Sequence, residues 1–542
     1  MRRPQAAALF LLTVSNLAAR AAPAPRPTTH GQLVALFEEW RAFQRPTLRG
    51  GIPDYSAAAM ATQQKALPTI RRKLEAFDRS GWSPHDQIDW YLLRAEMAGL
   101  DFDHRVLRPW ANDPAFYRTV FEEQSDQPAR EGPWTVGAVE LWKLRFPLDA
   151  AASAELAGAL HTIPDRLEQA RKNLVGRGRD LWIGGAHEMR AQAAELVALA
   201  KKIPEGSALA AEVQRARQAT EAFAQWIDQQ LPSKTAPSGI GVAHYDWYLK
   251  HVQLVPWTWR DEVALMEREL ARAWAFLALE ERRNSGPQPQ PIDSADEWQR
   301  RSTAAVAEYV AYLKAHDILT VQDWMEPALL ARVGHFSPGP LEFFSEIDRR
   351  DPEVMRTHGY HWFDLGRMER DPNPDPIRRG PLLYNIFNTR TEGHATGWEE
   401  MMLQAGMFDA RPRSRELIYV ALAERAARAL GELRMQANQV DLEGAAKIAS
   451  TGTPRDWLKL TGKLVRGEQH LYLRQPGYGT SYVVGKIEIE RLMEARRRKE
   501  GDRFSLRGFM DAFDAAGLVP ASLLRWELTG ELPDDVKTML AD

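Results

Sequence analysis

Apolar residues recur at steps of three and four along almost the whole chain, the spacing of one face of an α-helix. Between residues 258 and 284, Val263, Met266, Leu270, Trp274 and Leu277 keep this spacing behind a polar first turn of Thr258, Asp261 and Glu262. Between residues 414 and 438 the apolar positions are Ile418, Leu422, Ala426, Ala429 and Leu433, with Ser414 as the expected N-cap. The opposite face there carries Glu424, Arg425, Arg428 and Glu432. Residues 63–77, 86–100, 150–174, 189–202, 208–230, 295–316 and 486–499 repeat the pattern. Strand-like alternation is confined to one short run, 480–484. The expected fold is all-α: one large multi-helix body with a deep central cleft and at most a minor β element.

Pro and Gly cluster at 231–241, 284–291, 333–340 and 371–381, where helices are expected to break. The first cluster divides an N-terminal helical half, 22–240, from a C-terminal half, 241–542, that contains the chemically suggestive segments. The N-terminal half is expected to form one wall of the cleft and residues 349–482 its floor. No repeat at solenoid spacing is evident.

Charge and composition exclude several function classes. Lys plus Arg is 70 against 73 Asp plus Glu, so no basic excess exists to drive nucleic-acid binding. With no cysteine, thiolate nucleophiles, Cys-ligated zinc, iron–sulfur clusters and disulfides are excluded. At the start of the chain, Arg2 and Arg3 precede a short apolar stretch, residues 6–12 with Val14 and Leu17, and the small-x-small run Ala19-Arg20-Ala21. These features predict a cleaved signal peptide, 1–21, and a periplasmic or secreted mature protein. The stretch is too short to span a bilayer, and no later segment is apolar enough.

Three segments carry candidate chemistry. In the first, 357–368, a helix running from His358 would place His358 and His361 on one face, about 5–6 Å apart at Cβ and able to share a metal. Asp364 follows three residues later, placed to orient the second ring. The second, 388–401, sets Glu392 and Glu399 on a shared helical face, while Gly393, Ala395 and Gly397 allow another backbone to approach. His394 points away from Glu392 on an unbroken helix. In the third, 468–486, a loop with Gly477 and Gly479 presents Tyr478, Tyr482 and Arg474 as donors for a developing oxyanion.

Taken in this order, the segments resemble the DUF885 family of bacterial proteins, which are similar to zincin-type helical metallopeptidases. The family pattern is a His/Glu metal motif, a Glu-Gly-Trp-Ala helix, a Pro-Gly…Ser-Tyr…Gly-Lys segment and a Phe-His-Asp…Gly…Pro ending. Here the second element is Glu392-Gly393-His394-Ala395, with His394 in place of Trp. The third is Gln475-Pro476-Gly477 through Ser481-Tyr482 and Gly485-Lys486. The ending is Phe509-Met510-Asp511, Gly517 and Pro520, with Met510 in place of His. The family's first motif, His-Glu-x-x-Pro-Gly-His-His, is reduced to His358-Gly359-Tyr360-His361, without the glutamate that acts as general base in zincins.

The resemblance implies a zincin-like body and an exported metal-dependent hydrolase of peptide or amide-like bonds. His358, His361 and Glu392 would then hold a divalent metal, zinc by donor type, with one position left for water. Tyr482, with Arg474 or Tyr478, would stabilise the oxyanion, and Glu399 or Asp364 would be the base. Tyr478 and His394 would contact a peptide-like or small-molecule substrate. Because the first motif is broken and Met510 replaces histidine, the alternative is a catalytically inactive helical cleft protein that binds an extended ligand. A third reading, a helical carbohydrate enzyme, starts from the eighteen tryptophans and the Glu399–Glu400 pair. Adjacent glutamates on a helix point about 100° apart and cannot flank one bond.

Overall fold

Polar caps start many of the helices. Thr29 with Gln32, and Thr258 with Asp261, form reciprocal capping boxes at the His30–Phe43 and Trp259–Arg283 helices. Ser83, Asp149, Ser207 and Asp441 each accept a first-turn N–H of the helix that follows. The computed structural model describes residues 28–127, 136–284, 286–382, 384 and 388–541. The expected leader, with its cut after Ala21, lies outside the described residues.

The fold is all-α. Among the described residues the sheets are two pairs of two-residue strands, Leu48–Arg49 antiparallel to Ile52–Pro53 and Val120–Phe121 parallel to Val139–Glu140. One large apolar core joins the first helices (Leu33, Trp90, Phe102) to the C-terminal half (Phe343, Trp398, Phe513), so it takes residues from both sides of the 231–241 segment. A second core is built within the N-terminal half by Leu167, Trp182 and Phe223.

Two glycine contacts set the distances between site-bearing helices. The Asn388–Gln404 helix crosses the Tyr478–Glu500 helix where Gly393 meets Gly485, and a Cβ on Gly393 would fall 2.3 Å from the Gly485 Cα. The Arg179–Ala200 helix meets the Lys463–Arg474 helix at Gly184, where a Cβ would fall 1.9 Å from the His470 ring. Only glycine permits either approach.

Local expectations fail in four places. Residues 480–484 are helical, inside Tyr478–Glu500, although their β-branched run reads as a strand. The expected loop carrying Gly477, Gly479 and two tyrosines shrinks to Gln475, Pro476 and Gly477, with Gly477 at φ 83° just before the helix that takes in Tyr478, Gly479 and Tyr482. Ser414 is not an N-cap: the Pro412–Gln436 helix begins two residues earlier, and the Ser414 hydroxyl donates to Asp351. His358 and His361 do not share one helix, because Pro352–His358 ends before Gly359 and Tyr360–Arg370 begins after it.

Candidate functional site

The break at Gly359 still leaves the two imidazoles side by side. Their ring centroids are 5.1 Å apart, with planes at 78°. His358 Nδ1 lies 2.9 Å from Glu399 Oε1, and Arg425 grips both oxygens of that carboxylate at 2.7 and 3.0 Å. Arg425 Nη2 also lies 3.1 Å from this Nδ1. In the tautomer whose Nδ1–H donates to Glu399, the His358 Nε2 lone pair is left for a ligand, the arrangement by which carboxylates orient metal-binding histidines. Burial lowers the His358 pKa, opposed by the Glu399 hydrogen bond.

His361 is buried more deeply. Its Nδ1 is 3.4 Å from the Gln127 amide nitrogen, and Thr391 donates to Gln127 Oε1 at 2.7 Å. Its Nε2 is buried without a hydrogen bond, 3.2 Å from Glu392 Oε2. Burial opposes charge on this ring, but the carboxylates of Asp126 and Glu392 raise its pKa to about 9. The same negative field favours a cation between the rings. Glu392 is also buried, which works against ionisation, yet His361 and the Tyr478 hydrogen bond hold its carboxyl down to about 2. Its Oε1 accepts the hydroxyls of Tyr478 at 2.6 Å and Tyr482 at 2.9 Å.

Asp126 was not singled out by sequence. It lies in a polar run outside any helix, with no periodicity or motif to mark it, yet it joins His358 and His361 in a group whose ligand atoms lie within 4.8 Å of one another. Two imidazoles and a carboxylate are the donor set of a catalytic divalent-metal site, and the unbonded His361 Nε2 fits that use. Glu392, expected as the third ligand, contacts His361 and two tyrosines.

The remaining candidates fall into two groups. Tyr482, Arg474 and Asp126 line a cavity of about 970 Å³, together with Arg118 and Glu188 from the N-terminal half. Arg474 is held there by Asp113 at 2.7 Å, and the Arg428 guanidinium sits 4.3 Å from the Tyr482 ring centroid. Burial opposes ionisation of Glu188, but Arg118 and Arg474 bring its carboxyl down to about 2. Tyr478 stays buried on Glu392. Asp364 does not orient His361: it accepts from Arg367 at 3.3 Å and from Arg390. Glu399 is committed to Arg425 and His358 and is 2% exposed, which removes it as a water-activating base. His394 is fully buried among Tyr360, Trp398 and Phe513, and both ring nitrogens lack hydrogen bonds. Burial keeps it neutral, and its enclosure in this aromatic box excludes substrate contact.

No curated protein matches this chain by sequence. A solved structure described as "a putative lipoprotein of unknown function" from Shewanella oneidensis is similar over 93% of this chain and all of its own, at 14% identity and a TM-score of 0.68. Another, "the putative lipoprotein from Colwellia psychrerythraea", is similar over 93% of this chain and 99% of its own, at 14% identity and a TM-score of 0.62. These likenesses establish the fold. In sequence, residues 361–528 match the family described as "Bacterial protein of unknown function (DUF885)", a span that includes His361, Glu392, Tyr478 and Tyr482 and leaves out Asp126 and His358.

Proposed function

We propose that the chain is an exported hydrolase of peptide or amide-like bonds that works with a divalent metal, zinc by donor type, held by Asp126, His358 and His361. One observation carries the reading. The three donors gather within 4.8 Å of one another, and Asp126 and Tyr482 face the same large cavity. When bound, such an ion supplies Lewis acidity toward a carbonyl oxygen.

The chain's own residues do the rest. Glu399 and Arg425 fix the His358 ring, and Gln127 with Thr391 fixes His361. Ionised Glu392 collects the Tyr478 and Tyr482 hydroxyls, so Tyr482 reaches the cavity with its proton already oriented. Turned from Glu392 toward a substrate, that O–H donates to the oxyanion of an attacked carbonyl. Arg474, anchored by Asp113, presents positive charge on the cavity wall for an acidic group of a peptide. Export is supported by the Arg2–Arg3 start, the apolar stretch and the Ala19–Ala21 pattern, and by fold relatives described as lipoproteins.

The competing reading, a ligand-binding protein without turnover, is favoured by Gly359, which stands where the family's first motif carries its glutamate. Metal content and hydrolysis of a mixed peptide library, measured on wild type, His361→Ala and Tyr482→Phe, separate the two. The hydrolase reading expects metal at this site to be lost in His361→Ala, and Tyr482→Phe to keep metal while losing turnover. Metal without turnover in wild type supports the binding protein. Unchanged metal in His361→Ala overturns the site.

A further inference from the structure

A second histidine–carboxylate group lies away from the cavity. His30, at the start of the His30–Phe43 helix, meets His85 and Asp89 of the Pro84–Phe102 helix and Asp375 of the 371–381 segment. His85 and Asp89 are one helical turn apart and share a face. His30 Nε2 is 2.8 Å from Asp89 Oδ2 and 3.3 Å from Asp375 Oδ2. His85 Nε2 is 3.6 and 3.2 Å from the same two oxygens. A tetrahedral zinc with ligands about 2.0–2.1 Å from its centre has ligand–ligand edges of about 3.3–3.4 Å, and these four distances bracket that value.

For three of the four residues the surroundings hold the far atom, so that the near one turns to the common point, where without metal the rings and carboxylates hydrogen-bond to one another. Asp89 Oδ1 is taken by the Arg378 Nε at 2.6 Å, and Asp375 Oδ1 by the Ile377 N–H at 2.8 Å. Each Oδ2 is thereby left to face the imidazoles. His85 Nδ1 is 2.9 Å from Glu527 Oε1, and donation there leaves its Nε2 lone pair as the ligand. Arg378 also binds both oxygens of Glu527 at 2.8 Å. The Asp89 and Asp375 side chains are 0% and 6% exposed, and in the metal-free chain the two rings compensate them: the hydrogen bond to Asp89 raises the His30 pKa, and those to Asp375 and Glu527 bring His85 up to about 10. A divalent cation at the common point would take over this compensation in exchange for the imidazole protons. The imidazoles are more accessible, at 25% and 42%, which gives an ion a route in.

We propose that His30, His85, Asp89 and Asp375 form a closed, four-ligand structural zinc site that fastens the first described helix to the C-terminal half. The proposal does not depend on the hydrolase reading. Imidazole and carboxylate donors in this geometry suit zinc, and a structural site needs no open position. Binding to the folded chain alone raises its stability.

The test uses the full chain, stripped with a chelator and reloaded with zinc alone, as wild type, His30→Gln, His85→Gln and His361→Gln. We expect His30→Gln and His85→Gln each to bind one equivalent less than wild type. Chelation should lower the melting temperature of wild type and of His361→Gln, and zinc should restore it. His85→Gln should show neither response. Equal zinc in wild type, His30→Gln and His85→Gln overturns the proposal, as does a melting temperature of wild type indifferent to chelator. Should His85→Gln fail to fold, zinc-edge anomalous diffraction from wild-type crystals decides: a peak inside this quartet supports the site, and none there overturns it. Zinc lost only in His361→Gln leaves the cavity site standing and removes this one. Zinc lost only in His30→Gln and His85→Gln does the reverse.

Discussion

The Trp259–Arg283 and Pro412–Gln436 helices are both 25 residues long, pack against each other and carry the same apolar stripe with charges opposite. Their charged faces have different fates. The first helix keeps an outer face in water, where even Trp274, Phe276 and Leu279 are 44%, 41% and 58% exposed. In the second, Glu424, Arg425, Arg428 and Glu432 are all buried, because the Asn388–Gln404, Lys463–Arg474 and Tyr478–Glu500 helices close over that face. The buried charges hold the candidate site. Arg425 fixes Glu399 and through it His358, and Arg428 lies against the Tyr482 ring while pairing with Glu468. Glu432 accepts the Gly477 and Thr480 N–H groups, buried donors at the start of the helix that carries Tyr478 and Tyr482, where no intrahelical acceptor is on offer. A charged stripe is a solvated surface or a buried polar frame according to what the rest of the chain brings to cover it.

Removing one partner of a buried pair tests this most severely. Arg425→Ala strands Glu399 with only His358 for company, and such losses cost about 3–5 kcal/mol. Urea unfolding should show a fall of this size, and a loss below about 1 kcal/mol would erase the contrast between the helices. Glu399→Gln leaves the volume intact and removes the charge that orients His358. Zinc affinity at Asp126, His358 and His361 should then fall about 10–100-fold by competition with a chelating dye, the usual effect of losing a ligand's supporting carboxylate. Unchanged affinity would separate Glu399 from metal binding.

The two helices also meet at a pair of buried carboxyls. Tyr245 bridges Glu262 of the first, at 3.2 Å, and Glu432 of the second, at 3.3 Å. Burial raises both pKa values, and Glu432 reaches about 8 despite the N–H groups of Gly477 and Thr480. A raised folded-state value means that the folded chain keeps a proton the unfolded chain has lost. The stabilisation is therefore full below about pH 4.5 and fades as pH rises through about 8, with a slope of up to about 1.4 kcal/mol per pH unit per proton. Glu432→Gln should flatten its share of that decline in melts run from pH 5 to 9. A variant curve parallel to wild type would mean that Glu432 is already ionised at pH 5. A smaller effect is expected at Trp274, whose ring is half in water but whose N–H donates to Gly452 O at 2.9 Å. Trp274→Phe should cost about 0.5–1.5 kcal/mol, one net hydrogen bond.

Helical periodicity and caps are local, so the all-α class, the Thr258–Asp261 box and the close approach at Gly393 were legible in the sequence. The interior polar frame was not. Burial of Arg425 and Glu432 depends on helices that arrive from elsewhere in the chain, and Gln127 meets His361 across 234 residues. Residues 480–484 have strand-type side chains, but continuity with the following helix and the acceptor at Glu432 override that preference. Ser414 was the more plausible cap by type, yet Asp351 recruits its hydroxyl and Pro412 fits the first helical turn. His85 and Asp89 stood at a visible helical spacing, whereas their partners His30 and Asp375 are brought in only by the fold.

The smallest effect belongs at the exposed meeting of the same two helices. Arg434 of Pro412–Gln436 lies 3.3 Å from Glu267 of Trp259–Arg283, with side chains 33% and 59% exposed. Water screens this pair and solvates either partner left alone, and holding two long side chains together costs entropy that offsets the attraction. Arg434 also stacks 5.7 Å from the Trp259 ring centroid and donates to Gln439, so Arg434→Ala alone would mix three contacts. The double-mutant cycle of Arg434→Ala with Glu267→Ala removes those other contributions. Its coupling energy should be about 0–1 kcal/mol at 0.1 M salt and shrink toward zero at 1 M, where the Debye length falls to about 3 Å. A coupling of about 2 kcal/mol or more that resists salt would place this pair in the same class as Arg425–Glu399. The boundary between solvated and enclosed charge would then lie further out along the Pro412–Gln436 helix than burial places it.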